Sequence, residues 1–109
     1  MPETFQDIIQ SSTPVLVDFH AEWCGPCKAM STVIKEVAQQ LKGRLRIIKV
    51  DIDQAQEAAR IYDVSAVPTF MLFQNGQVKW RHSGMIDKAS LLRTIGSIVE
   101  NNASRKQEI

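Results

Sequence analysis

The chain has 109 residues, 44% of them hydrophobic and 23% charged, and a net charge of +1. This length fits one domain with a single core, the near-neutral charge gives no field for nucleic acid or an anionic membrane, and no apolar run approaches the ~20 residues of a membrane span. The opening Met1-Pro2-Glu3-Thr4 lacks the basic-then-apolar order of a signal peptide, so the expected home is the cytoplasm, although an exported protein in mature form reads the same way.

Residues 4 to 11 read as a first helix, with Phe5, Ile8 and Ile9 on one face and Pro14 stopping it. Residues 15 to 20 are short, apolar and β-branched, as in a buried strand. A second helix is expected from about Cys24 to Leu41, where Met30, Val33, Ile34, Val37, Ala38 and Leu41 fall at helical spacing. Gly43 closes it. Leu45 to Val50 is the next strand. Asp53 then reads as an N-cap, with Gln56 completing a weak capping box before a third helix to about Tyr62.

The strand Phe70 to Phe73 follows Val67-Pro68-Thr69. Asn75-Gly76 marks a two-residue hairpin turn, because both residues tolerate positive φ. Val78 to His82 returns antiparallel until Gly84 breaks it. Asp87 caps a last helix with the stripe Leu91, Leu92, Ile95, Ile98 and Val99. Residues 103 to 109 read as a polar, flexible tail of a single domain spanning 1 to 109. The order α-β-α-β-α-β-β-α predicts an α/β fold, with a mixed central sheet and helices on both faces.

Cys24 and Cys27 are the only cysteines, in the run Trp23-Cys24-Gly25-Pro26-Cys27. A structural bridge so short would constrain little loop entropy. The strand-to-helix setting favours a redox pair instead. A thiolate at a helix N-terminus is stabilised by free N–H groups and the helix dipole, which makes Cys24 more acidic than an ordinary cysteine. Gly25 leaves its sulfur open, and Pro26 is tolerated because first-turn residues need no N–H partner. Cys27 lies one turn further in and is expected to be the less exposed of the two. Cys24 is therefore expected to attack a disulfide in another molecule, and Cys27 to resolve the mixed disulfide. Asp18 is a carboxylate inside an apolar strand, where burial would raise its pKa and suit it to take the Cys27 proton. Lys49, on the next strand, is its expected partner.

The run from Val17 to Lys28, together with Lys49-Val50-Asp51-Ile52-Asp53, Val67-Pro68-Thr69, Phe73-Gln74-Asn75-Gly76 and Gly84, resembles the thioredoxin family over about residues 4 to 101. The resemblance implies a thioredoxin fold of four or five strands, with the first strand short or missing. It implies a protein-disulfide reductase working by dithiol–disulfide exchange, which keeps protein thiols reduced and donates electrons to reductive enzymes. No cofactor is expected on the chain; a thioredoxin reductase carrying FAD and using NADPH recharges it. The expected partners are that reductase and disulfide-containing proteins, met by a monomer. By position, Cys24 and Cys27 are the redox pair, and Asp18 and Lys49 the proton-transfer pair. Val67-Pro68 reads from sequence alone as either a trans or a cis bond; the resemblance favours cis, exposing the Val67 backbone to an extended substrate. Trp23, Gly25, Ala66, Val67, Gly84 and Met85 would form the apolar docking surface around it.

Three features depart from the family pattern. His20 stands where an aromatic is usual, and when protonated it is expected to stabilise the Cys24 thiolate and make the disulfide more oxidising. His20-x3-Cys24-x2-Cys27 is also a three-ligand set, but a structural zinc needs four protein ligands and Gly-Pro between the thiols fits redox use, so no metal is expected. Thr32 replaces a helix-kinking proline, which predicts a straighter second helix. If the first strand is absent, the strand from Leu45 becomes an edge guarded by Arg44, Arg46 and Lys49. Two other readings share the fold: an oxidant or isomerase in an oxidising compartment, and a binding module that uses the Trp23–Val67 surface without turnover.

Overall fold

The computed structural model describes residues 2–107, with side chains through residue 100. Helix α1, Phe5–Ile9, begins at a capping box: the Asp7 N–H donates to Thr4 Oγ1, and the Thr4 N–H to the Asp7 carboxylate, each at 3.1 Å. It is shorter than expected because Ser11 takes the chain out of helix, its hydroxyl accepting the Thr13 N–H at 3.1 Å. Strand β1, Val15–His20, is buried but for its last residue. Helix α2, Gly25–Gln40, runs unbroken past Thr32. Strand β2, Arg46–Asp51, starts one residue later than expected, because the Leu45 N–H still bonds the Leu41 carbonyl at the end of α2.

Helix α3, Gln56–Ile61, corrects the expected cap. Its N-cap is Ala55, with no side-chain hydrogen bond. The Asp53 carboxylate is engaged elsewhere, accepting Trp23 Nε1–H at 2.8 Å. Strands β3, Thr69–Gln74, and β4, Gln77–Ser83, form a hairpin on Asn75 and Gly76, with φ of 52° and 79°. Helix α4, Lys88–Gln107, starts where the Asp87 carboxylate accepts the Ser90 N–H at 3.0 Å. It takes in residues 103–107 of the expected tail; residues 108 and 109 lie outside the described residues.

Among the described residues the sheet has four strands in the order β2-β1-β3-β4, with β1 and β2 parallel and the other pairs antiparallel. No strand precedes α1 over residues 2–4, where the first strand was expected to be short or missing; Met1 lies outside the described residues. The two-residue period of a strand sorts side chains between the faces. Leu16, Phe70 and Leu72 join Met30, Ile34, Val37, Leu91, Ile95 and Val99 in the core under α2 and α4. Val15, Val17, Phe19, Met71 and Phe73 join Ile9 and Val64 in the core under α1 and α3. Asp18 and His20, in step with Leu16, therefore fall on the α2 face, at the strand end where α2 begins.

Candidate active site

Cys24 is the N-cap of α2. Its extended backbone, at φ −91° and ψ 107°, turns the chain into the helix, and Pro26 occupies the first turn where its missing N–H costs nothing. The Cys24 sulfur accepts the Cys27 N–H at 3.1 Å. The two cysteines form a disulfide with Cα atoms 5.3 Å apart. They are 4% and 9% exposed, so Cys27 is not the less exposed of the two as expected, and both pack with Ala21, Ile52 and Val67. A Cβ built on Gly25 meets nothing within 4 Å. Gly25 is thus not required by packing within the chain.

The apolar collar is uneven. Trp23 is 69% and Met85 57% exposed, and Ala66 is exposed too. The Trp23 ring is fixed by its bond to Asp53, a contact thirty residues apart in sequence that no local pattern could show. Val67-Pro68 is cis, with Val67 against the cysteine cluster and Pro68 buried. Gly84, at φ +96°, donates its N–H to the Pro68 carbonyl at 2.8 Å, tying the end of β4 to this loop. Thr69 fixes the loop from within: its hydroxyl donates to the Ala66 carbonyl at 2.7 Å and lies 3.0 Å from the Ser83 hydroxyl. The sequence reading missed Thr69 and Ser83; a polar residue in an otherwise apolar strand was the available signal.

Behind the disulfide lies a cavity of about 240 Å³, whose lining includes Asp18, His20, Cys27, Lys49, Glu22 and Lys28. Asp18 is 4% exposed and its Oδ1 has no hydrogen-bond partner. Burial pushes its carboxyl above the usual range, and the charges of His20 and Lys49 oppose that rise. Lys49 is Asp18's register neighbour on β2, but the two form no ion pair within 4.0 Å. The cavity groups His20 with Asp18 and Cys27; Cys24 is not part of its lining.

A two-residue-spaced disulfide at a helix N-terminus, with a buried carboxylate behind it, is suited to thiol–disulfide exchange. The profile of the family described as Thioredoxin matches residues 1–97. The chain belongs to the thioredoxin family. Thioredoxin 1 of Chlorobaculum tepidum is 43% identical over 101 residues, covering 88% of this chain and all of that protein. The bifunctional thioredoxin reductase/thioredoxin of Mycobacterium leprae is 44% identical over 97 residues, covering 89% of this chain and 21% of that protein. The oxidised form of mitochondrial thioredoxin 3 from Saccharomyces cerevisiae superposes with a TM-score of 0.77 at 31% identity, covering 85% of this chain and 86% of that one. Thioredoxin-type dithiol–disulfide exchange at Cys24 and Cys27 follows from family and site together.

Proposed function

We propose that the chain is a cytoplasmic protein-disulfide reductase, folding as a single domain and working as a monomer. The observation that carries this reading is the Cys24–Cys27 disulfide at the N-cap of α2, with Asp18 and Cys27 lining one cavity. Cys24, once reduced, is held as a thiolate by the Cys27 N–H and the start of α2. It attacks a substrate disulfide. Asp18, with Lys49 beside it, takes the Cys27 proton, and Cys27 resolves the mixed disulfide. The substrate lies as an extended strand along the Val67 backbone. Trp23, Gly25, Ala66, Gly84 and Met85 surround it, with Pro68 shaping the loop. A thioredoxin reductase with FAD and NADPH recharges the pair; a single M. leprae protein whose name joins the two activities supports that partnership.

The test is the reduction potential of the Cys24–Cys27 couple, followed by Trp23 fluorescence in graded thiol–disulfide buffers. A value near about −270 mV, the benchmark for thioredoxin, is expected. A value near about −180 mV or above belongs to an oxidant or isomerase and overturns the reductant reading.

A further inference from the structure

Resting on the exchange reading above, we propose that His20 is a positioning residue for the resolving half of the reaction: it acts across the cavity on Asp18 and so sets the pH range over which Cys27 is deprotonated. Three observations place it there. His20 lies two residues beyond Asp18 on β1, on the same face. Both line the cavity that reaches Cys27. Asp18 Oδ1 is buried with no hydrogen-bond partner, so no fixed donor holds that oxygen.

The other charged groups are accounted for element by element. From β2, Lys49 faces Asp18 as a cation with a largely exposed side chain. Asp51, opposite His20, is occupied in accepting the Asp53 N–H at 2.8 Å. Glu22 and Lys28, from the turn and the first turn of α2, are exposed and of opposite sign. From β3, Asp18 faces only Phe70. Among these groups histidine is the one type that ordinarily changes charge between about pH 5 and pH 8.

The step balances within the chain and its substrate. In the mixed disulfide, the Asp18 carboxylate accepts the Cys27 S–H proton. The Cys27 thiolate forms a bond to the Cys24 sulfur, and the bond from Cys24 to the substrate sulfur breaks. The electron pair leaves on the substrate sulfur, which is released as a thiolate; the proton on Asp18 departs through the cavity. The two cysteines are oxidised and the substrate disulfide reduced. A protonated imidazole beside Asp18 favours its carboxylate form, so His20 keeps the base ready at lower pH than a neutral residue could.

The experiment pairs two readouts on reduced wild type and His20→Phe: the Asp18 carboxyl titration by ¹³C NMR, and release of thionitrobenzoate from dithionitrobenzoate in a single turnover. The first equivalent released reports attack by Cys24, the second resolution by Cys27. In His20→Phe the Asp18 midpoint moves up, and the second release slows several-fold at pH 6 with a smaller difference at pH 8. His20→Asn, polar but non-titrating, gives the same result if His20→Phe does not fold. An unmoved Asp18 midpoint, or an equal slowing at every pH, overturns the proposal. So does a changed pH profile confined to the first release, which places His20 on the Cys24 thiolate instead. Cys27→Ser separates the levels. Release of one equivalent from that variant supports the exchange reading whatever His20 does; release of both overturns the exchange reading and this proposal together.

Discussion

Asp18 holds a carboxylate among apolar neighbours with one oxygen unpartnered, a site maintained at the expense of stability. Burial raises its pKa in the folded state above that in the unfolded chain. Between those two values the folded state binds more protons, so stability is fully present below the unfolded pKa and falls as pH rises through the folded one. Asp18→Asn lacks that fall. Urea unfolding of the oxidised protein is expected to show the variant gaining about 1–3 kcal/mol over wild type at pH 8, the cost of one unsatisfied buried group, with the gain shrinking toward pH 4. Equal pH slopes for the two proteins would mean that Asp18 is solvated through the cavity. The presence of Asp18 in an apolar run was readable from sequence. Its lack of an ion pair with Lys49 was not, because register fixes only which backbones adjoin and the lysine stem chooses where its charge goes.

At the scale of elements, local chemistry was legible and long-range contacts were not. Periodicity gave all eight elements in order, and Asn75-Gly76 gave the turn. Side chains with distant or competing partners moved two boundaries, Ser11 ending α1 early and the Asp53 carboxylate going to Trp23 rather than to α3, while a backbone bond from the Leu45 N–H to the Leu41 carbonyl delayed β2. The hairpin tip is itself tied back to the first helix, with the Asn75 N–H on the Ser11 carbonyl at 2.9 Å and the Gly76 N–H on the Ile9 carbonyl at 2.8 Å. A Cβ at Gly76 would stand 2.7 Å from the Gln10 amide. That side chain can swing away, but the φ of +79° remains. Gly76→Ala is therefore expected to cost about 1–2 kcal/mol, the left-handed penalty of an L-residue, as read by thermal unfolding. A neutral result would show that the turn rearranges.

For the molecule as a whole, the four-stranded sheet leaves β2 paired on one side only among the described residues. The Arg46 N–H bonds the Pro14 carbonyl and the Ile52 N–H the His20 carbonyl, so alternate amides between them, those of Ile48 and Val50, also point at β1. Hydrogen exchange on the monomer is expected to protect Ile48 and Val50 and to leave Ile47 and Lys49 fast. Protection of all four would reveal a covering segment. Arg44, Arg46 and Lys49 keep this border charged and exposed, and Arg46 is paired with Glu3 at 2.9 Å.

If the proposed reductase reading holds, the 4% exposure of Cys24, next to a Trp23 that is 69% exposed, also acts as a gauge of its clients. A disulfide lying flush with a rigid surface cannot descend to that sulfur, whereas one carried on a projecting or unravelled loop can. On that reading, reactivity would be ranked by how far a client's bridge stands out from its own surface, and folded proteins with inset bridges would be passed over without any dedicated recognition.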